Sequence, residues 1–429
     1  MARPLVLGIE TSCDDTACAV LDGEGRVLSS VVSSQLAVHR PYGGVVPEIA
    51  SREHLANWLP VSAEALAGAG IVAAELDVVA ATRGPGLVGA LLVGLTLGKA
   101  LAYALGRPFH AVHHLEGHLY SPFLHPGTGA AALPAAAPPP RFHGLVLSGG
   151  HSSLFAVRDG RIETLGETRD DAFGEVFDKV GKRIGLPYPQ GPRVDELAER
   201  GDPSAYRLPV PACGETLDFS FSGLKSQALT EIERLERRLG PLDGGTAAGG
   251  GPGSGAGRPA GGSAEGPAER PAAGQVGEQT GDVAGGRQTG DVAPGNLPQP
   301  VLDLLAAFRA AAVAQVLDRL DRLDRLDRLG RLDRPDPGRS AGEGGAPAGG
   351  ALLAVSGGAA ANRLLRRALP VWSAGHGREL RLVPLAYAGD NAAMIAHAAL
   401  LRQARGLADD PFAAEAESRI PLDQLGFDR

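Results

Sequence analysis

The first thirty-odd residues alternate short apolar runs with polar turns: "LVLGI" at 5–9, "ACAVL" at 17–21 and "VLSSVV" at 27–32, the first two separated by "ETSCDDT". Runs of this length with turn residues between them predict three successive antiparallel strands. The period then changes. "PEIASREHLANWLPVSAEALAGAG" (47–70) has helical spacing, "LDVVAATRGPG" (76–86) reads as a strand ending in a Gly-Pro-Gly turn, and 87–105 reads as a helix, a βββαβα order. After "HPGTGAAALPAAAPPP" (125–140) a second round begins. Two strands flank the Ser-Gly-Gly turn of "FHGLVLSGGHSSLFAV" (142–157), a helix runs from about Ala172 to Ile184, and "GALLAVSGGAAANRLLRRAL" (350–369) is again strand, Gly-Gly turn, helix. The similar halves predict an α/β fold of two duplicated lobes around a central cleft.

Two segments depart from this plan. Residues 241–298 are dominated by Gly, Ala, Pro and polar residues, with "QTGDVA" occurring twice. That composition cannot build a core, so a disordered or loosely ordered insertion is expected. The tract "LDRLDRLDRLDRLGRLDR", which opens the 317–350 segment, has Leu at every third position and places Asp318/Arg322, Asp321/Arg325 and Asp324/Arg328 at i,i+4. Such pairs favour helix, but a three-residue Leu period drifts around it. The expectation is a solvated helical extension, ended by the Gly/Pro-rich linker up to 350.

Composition narrows the function classes. The chain of 429 residues has room for two domains or one large two-lobed one. The apolar run at 86–105 contains glycines and a lysine and reads as a buried helix rather than a membrane span. The N-terminus enters a strand pattern without the marks of a secretory leader, and Cys13, Cys18 and Cys213 make no CxxC or paired framework; a cytoplasmic protein in a reducing compartment is expected. A formal charge of −8 argues against a strongly basic nucleic-acid binder without excluding local basic patches such as "FDKVGKRIG" (177–185).

The candidate chemistry centres on "HAVHHLEGHLY" (110–120), four of the chain's eleven histidines. On a helix His114 and His118 share a face, within reach of one divalent ion. The spacing is that of the HExxH protease motif, but Leu115 follows the first histidine and the carboxylate, Glu116, is one place late. A third ligand must come from elsewhere. Asp390, read as the N-cap of a late helix in "AYAGDNAAMIAHAA", is the candidate; His110 and His113 read either as supports behind the ligands or as structural. The Ser-Gly-Gly turns at 148–150 and 356–358 and "GPGLVG" at 84–89 can turn backbone amides toward an anion, although none matches a P-loop or a dinucleotide fingerprint. With Asp14, Asp15, Asp178, Asp195 and Asp390 near turns or helix ends, these features fit a nucleotide cleft.

The motifs "GIETSCDDT", "YGGVVPEIASREH", "GPGLVGALLVG", "VHHLEGH", "LVLSGGHSSL", "FGEVFDKVGKRIGLPY", "DFSFSGLK", "SGGAAANRLL" and "GDNAAMIA" occur in the order seen in the TsaD family of tRNA adenosine threonylcarbamoyltransferases, which the chain resembles over about 4–235 and 300–425. The resemblance implies a two-lobed actin and sugar-kinase-like fold. Residues 1–124 would form the N-terminal lobe, joined by the segment 390–429, and residues 141–389 the C-terminal lobe. It implies transfer of threonylcarbamoyl from threonylcarbamoyl-AMP to N6 of the adenosine 3′ of the anticodon in tRNAs reading ANN codons. His114, His118 and Asp390 would hold one divalent metal ion, Fe2+ or Zn2+. Val146, Leu147, Ser148, Gly149 and Gly150 would contact the donor; Asp178, Gly191, Asp195 and Asn362 would bind its nucleotide part; Glu10 and Lys225 match motif positions without an assigned role. It also implies a dimerising TsaB-type paralogue and a small TsaE-type ATPase as partners, and no membrane. Gln190 stands where a second glycine is expected, which puts the turn before Gly191 in doubt. A sugar kinase or ATPase of the same fold, a metallopeptidase, and a non-catalytic paralogous partner subunit are the rival readings.

Overall fold

The opening strands pair as their pattern predicts, and they begin a sheet whose strand order is then repeated in the second half of the chain. The computed structural model describes residues 4–129, 131–210, 214–242, 297–332, 352–407, 409–410 and 412–422. Most of the low-complexity insertion, the Gly/Pro-rich stretch from 333 and Cys213 lie outside these residues.

In chain order the first half comprises β1 (Val6–Glu10), β2 (Asp15–Leu21), β3 (Val27–Ser34), α1 (Leu36–His39), α2 (Pro47–Ala69), β4 (Val78–Gly84), α3 (Val88–Leu105), β5 (Phe109–His113) and α4 (His114–Tyr120). The second comprises β6 (Arg141–Leu147), β7 (Ser152–Arg158), β8 (Arg161–Glu167), α5 (Phe173–Arg183), α6 (Gln190–Ala198), α7 (Ser222–Leu239), α8 (Gln299–Arg328), β9 (Leu352–Ser356), α9 (Arg363–His376), β10 (Leu380–Leu382) and α10 (Ala392–Ala404). The two sheets have orders β3-β2-β1-β4-β5 and β8-β7-β6-β9-β10. In each, two antiparallel pairs are followed by two parallel ones. The fold is therefore the duplicated, two-lobed plan of the actin and sugar-kinase-like proteins. The central strands β1, β4 and β6 are buried along nearly their whole length, which is why they read as continuous apolar runs rather than alternating ones.

Nothing in the hydrophobic pattern marks β8, since only Ile162 and Gly166 of its seven residues are buried. It is an edge strand, formed by pairing with β7. Helix α10 returns to the first sheet and packs on β1, β2 and α4. Gly8 permits this approach: a Cβ there would stand 2.3 Å from the Ala392 carbonyl oxygen. Among the described residues two helices, α3 and α8, are long and apolar enough to cross a membrane, but most of the apolar window of α8 is buried in the fold. Helix α3 packs against β4, β1, β5 and α2 with Val88, Leu92 and Tyr103 exposed on its outer side.

The Leu-Asp-Arg tract is not the solvated extension its pattern predicts. Its residues 317–328 form the C-terminal part of α8, with Leu320 and Leu323 fully buried and Arg319 and Asp324 nearly so. The drifting Leu stripe finds apolar cover because α8 is packed by α6, α7 and α9 rather than by one neighbour. Of the three i,i+4 pairs, Asp324–Arg328 forms at 2.7 Å. Arg322 instead turns to Glu215 and the Gly214 carbonyl, and Asp321 accepts from the Trp372 indole at 2.7 Å. Asp324 also accepts from Arg378, a guanidinium only 1% exposed, at 2.7 Å. Arg378 also holds Asp327 at 2.6 Å, so Asp324→Asn removes one of its two carboxylates and a charge-assisted hydrogen bond, which should lower the unfolding free energy by roughly 2 kcal/mol in a denaturant titration. A loss under about 0.5 kcal/mol, the usual size for a surface substitution, would return the tract to the surface.

Candidate metal centre and adjoining cleft

Helix α4 is too short to form alone and is held by its surroundings. His113, at its N-cap, accepts from the Leu115 amide through Nδ1 (3.1 Å), and its Nε2 meets the Ile420 carbonyl oxygen (2.9 Å). Burial pushes the His113 imidazole down to about 3, so it is neutral, as capping requires. Glu116 points away from the other histidines to the buried Arg402 of α10 (3.2 Å), which also holds Asp409 (2.9 Å). The displaced carboxylate of the protease-like pattern is thus committed to tying α4 to α10. His39, His54, His143 and His397 are buried core histidines.

With α4 fixed, His114 and His118 face Asp390. His118 Nε2 lies 3.2 Å and His114 Nε2 3.5 Å from Asp390 Oδ1, and the three ligand atoms lie within 4.8 Å of one another. Both histidines are buried. Asp390 differs in detail from its predicted place: the N-cap of α10 is Asn391, which accepts from the Met394 amide (3.0 Å). Asp390, one residue earlier, is left free of capping and turns to the histidines.

Glu10, without exposure at the end of β1, explains the orientation of His114. Its Oε2 lies 3.1 Å from His114 Nδ1 and accepts from Thr82 Oγ1 at 2.6 Å, while Oε1 accepts from the Ser12 amide at 2.5 Å. This is the arrangement in which a carboxylate fixes the tautomer of a metal-binding histidine, leaving Nε2 for the ion. Burial would lower the His114 imidazole, but Asp390 and Glu10 outweigh it and raise it to about 9. Burial also opposes ionisation of Glu10 and Asp390, and His114 reverses that effect in both, with His118 adding to it at Asp390. His118 is lowered by burial, and its Nδ1 is buried with no hydrogen-bond partner among the described residues. Two imidazole nitrogens and one carboxylate oxygen aimed at one point, backed by a second carboxylate, fit a divalent transition metal.

Beside this group opens a cleft of about 460 Å³ whose lining includes Asp14, Asp15, Gly149, Asp178, Gly191, Asp195, Asn362 and Gly389. Most of the sequence-derived nucleotide residues thus meet in one place. Asp178 accepts from the Gly191 amide (2.6 Å), Asp195 accepts from the Arg363 amide (3.0 Å) and from Arg309 (3.2 Å), and Asn362 caps α9 through the Leu365 amide (3.0 Å). Gln190 is the first residue of α6, directly before Gly191. Its amide also bonds to Asp178, and its side chain packs over Gly181, which has no Cβ to oppose it.

Val146 and Leu147 are buried in β6, leading into the turn at Ser148, Gly149 and Gly150. The Ser148 amide and hydroxyl close that turn on the backbone of His151, and α5 approaches it closely because Gly174 has no side chain; a Cβ there would lie 2.6 Å from the Ser148 carbonyl. Lys225 is not among the cleft's lining residues; its ammonium pairs with Asp171, which also holds Lys179. His151, not singled out from the sequence, stands close enough to His114, His118 and Asp390 to feel their charges. Its place directly after a Gly-Gly turn was the available signal.

The family model described as "TsaD: tRNA N6-adenosine threonylcarbamoyltransferase" matches residues 26–397. The chain belongs to this family. Curated relatives named tRNA N6-adenosine threonylcarbamoyltransferase include one from Pelobacter propionicus, 56% identical over 54% of this chain and 65% of its own length. Another, from Symbiobacterium thermophilum, is 51% identical over 57% of this chain and 68% of its own. The chain thus matches just under two thirds of the first of these TsaD-family relatives. Among solved structures, component A of (R)-2-hydroxyglutaryl-CoA dehydratase from Acidaminococcus fermentans overlaps 94% of this chain and 99% of its own at 12% identity and a TM-score of 0.43. The fold assignment to the family's two-lobed class rests on the strand order, not on that overlap.

Two predictions follow from this geometry. His114→Ala and His118→Ala should each remove bound metal, measured by elemental analysis of purified protein, whereas Glu10→Gln should keep the fold and weaken metal affinity about 10–100-fold; full metal retention in both histidine variants would dissolve the centre. The second concerns Asp15, whose carboxyl burial pushes up to about 6, with the Ser34 hydrogen bond opposing and Asp14 adding to the rise. As pH rises from about 5 to 7 it ionises inside the cleft, so affinity for an anionic nucleotide should fall, and Asp15→Asn should flatten that part of the profile in a binding titration.

Proposed function

We propose that this chain transfers the threonylcarbamoyl group of threonylcarbamoyl-AMP to N6 of the adenosine 3′ of the anticodon in tRNAs reading ANN codons. The observation that carries the reading is the convergence of His114, His118 and Asp390 within 4.8 Å beside a cleft lined by Gly149, Asp178, Gly191, Asp195 and Asn362, in a chain of the TsaD family. The whole-enzyme activity of the relatives is carried over here as a proposal.

An exocyclic adenine amine is a weak nucleophile, and the task is to hold it beside an activated carbonyl and stabilise the charge that develops. The cleft would hold the nucleotide of the donor, with the Ser148–Gly150 turn against its reactive end. Glu10 would hold His114 in one tautomer while Asp390 and His118 complete the ligand set. A divalent ion there, Fe2+ or Zn2+, would polarise the donor as a Lewis acid. His118, buried and lowered, stays neutral and keeps its lone pair for ligation. Glu10 and Lys225 are assigned no contact with substrate: Glu10 orients His114, and Lys225 belongs to the ion-paired cluster around Asp171.

The kinase reading would leave the buried histidine pair without a task, the metallopeptidase reading lacks its base because Glu116 faces Arg402, and a non-catalytic partner would have no need of the His114–His118–Asp390 group. A cytoplasmic setting and partnership with a TsaB-type paralogue and a TsaE-type ATPase belong to the same proposal. An apolar outer side on the packed pair α2 and α3, with Leu55, Leu59, Val88 and Leu92 each at least half exposed, supports a partner surface.

The test is transfer of labelled threonylcarbamoyl from pre-made threonylcarbamoyl-AMP to an ANN-decoding tRNA, with the partner proteins supplied. Label on the tRNA at the adenosine 3′ of the anticodon, reduced at least 100-fold by His118→Ala, is expected; metal-loaded protein that gives no transfer would overturn the reading.

A further inference from the structure

Arg309 is the one charged residue of α8 between Asp303 and Asp318, and its side chain is 7% exposed. A buried guanidinium is costly unless it is paired and hydrogen-bonded. Its partners lie on α6 and at the end of that helix. Nη1 donates to the Asp195 carbonyl (3.0 Å) and to Asp195 Oδ1 (3.2 Å) and pairs with Glu199, while Nη2 donates to the Ala198 carbonyl (3.2 Å). Asp195 and Glu199 are four residues apart, a spacing at which like charges on a helix repel, and the guanidinium shared between them removes that conflict. Arg367 of α9 also holds Glu199, through both oxygens at 2.8 and 2.7 Å. Charge pairing alone would need only Glu199. The further contact with Asp195 reaches the nucleotide cleft, because Asp195 lines it and Arg309 is not among the lining residues.

We propose that Arg309 is a positioning residue for nucleotide recognition: from behind the cleft wall it sets the Asp195 carboxylate in the orientation that receives the vicinal hydroxyls of a bound ribose. The inference rests on the reading of the cleft as the donor's nucleotide site and adds to it a residue that touches no ligand. Asp195 Oδ1 accepts from Arg309 and Oδ2 from the Arg363 amide (3.0 Å). A carboxylate offers about four lone-pair sites, so each oxygen keeps capacity for a group entering the cleft. Two such oxygens match two hydroxyls on adjacent carbons. Donors from α8 and from the start of α9 hold the carboxylate at both oxygens, and turning it would break both bonds. An arginine suits this place better than a lysine, since its planar fork reaches two carboxylates and two carbonyls at once.

The test uses the full chain with its metal, with AMP and 2′,3′-dideoxy-AMP as probes in a binding titration. Wild type should prefer AMP by about 10-fold, the size expected for hydrogen bonding to a charged group. Asp195→Asn and Arg309→Gln should each erase most of that preference, and the double variant should lose no more than either alone, since both act through one carboxylate. Arg309→Lys keeps a cation beside Glu199, and with it the fold, yet should lose the preference too because an ammonium cannot reproduce the fork. Arg367→Ala, which releases Glu199 but not Asp195, should bind both probes as wild type does. In turnover Arg309→Lys should raise the KM for the donor about 10-fold and leave kcat and the KM for tRNA unchanged, the pattern of lost uniform binding. A merely structural Arg309 would lower the Tm of Arg309→Lys without moving the preference for AMP. That result, equal binding of the two probes by wild type, or losses that add in the double variant would overturn the assignment. A preference that vanishes in these variants, in a protein that gives no transfer, would leave the role of Arg309 standing and sink the transferase reading instead, so the two failures are distinct.

Discussion

A carboxylate with no solvent, Glu10, sets the terms for the rest of the site. A buried ionised group is costly unless it is both paired and hydrogen-bonded, and Glu10 meets that demand through three groups from three segments: the Ser12 amide after β1, the Thr82 hydroxyl in β4 and the His114 ring at the start of α4. The ends of two parallel strands and the entry of a helix are thereby fixed relative to one another. Because His114 spends Nδ1 on Glu10, only Nε2 can face Asp390. The position of the ligand atoms follows from an electrostatic requirement inside the sheet, not from the geometry of α4 alone.

The duplicated sheet explains why the chemistry gathers where it does. In open α/β sheets ligands collect beyond the carboxyl ends of the strands, and both halves obey this. Glu10 ends β1, His113 ends β5, the Ser148–Gly150 turn follows β6 and the Gly357–Gly358 turn follows β9. The last two face a common cleft, as Gly149 and Gly358 both line it. Helix α10 then carries the chain back across the first sheet, and the residues just before it supply Asp390. One member of the candidate metal group thus arrives 272 residues after His118, through the packing of α10 against β1 that Gly8 allows.

What was legible in the sequence follows the physics of each signal. Strands β1, β2, β3 and β4 and helices α2, α3 and α5 could be placed because burial on both faces or on one face leaves an apolar period. The histidine pair could be read because i,i+4 spacing fixes a face; that the pair is deeply buried could not, because burial depends on α10 and on the segment around Ile420. The polarity of β8 hid an edge strand whose pairing supplies its stability. The Leu-Asp-Arg tract failed for the opposite reason. Its three-residue period predicts no sustained contact with one neighbour, yet α8 is surrounded, and Asp324 with Arg378, and Arg319 with Asp318 and the Thr216 carbonyl, are satisfied there, although composition alone assigns such charges to solvent. His151 escaped notice because its significance is its distance from three side chains contributed by other elements.

The balance of charge bears on the proposed metal at the His114–His118–Asp390 group. Glu10 and Asp390 are both held ionised by the histidines around them, and both lie against His114, whose raised imidazole answers only one of the two negative charges. His118, His113 and His151 are all lowered by burial, so they add no compensating charge. A dication in place of the His114 proton would bring two buried carboxylates and two neutral imidazoles to overall neutrality, the state that low-dielectric surroundings favour. A monovalent ion would leave one carboxylate unanswered, and a trication would leave an uncompensated positive charge. In that proposal Glu10 would contribute its charge without ligating the ion, a role open to a carboxylate and closed to a neutral acceptor.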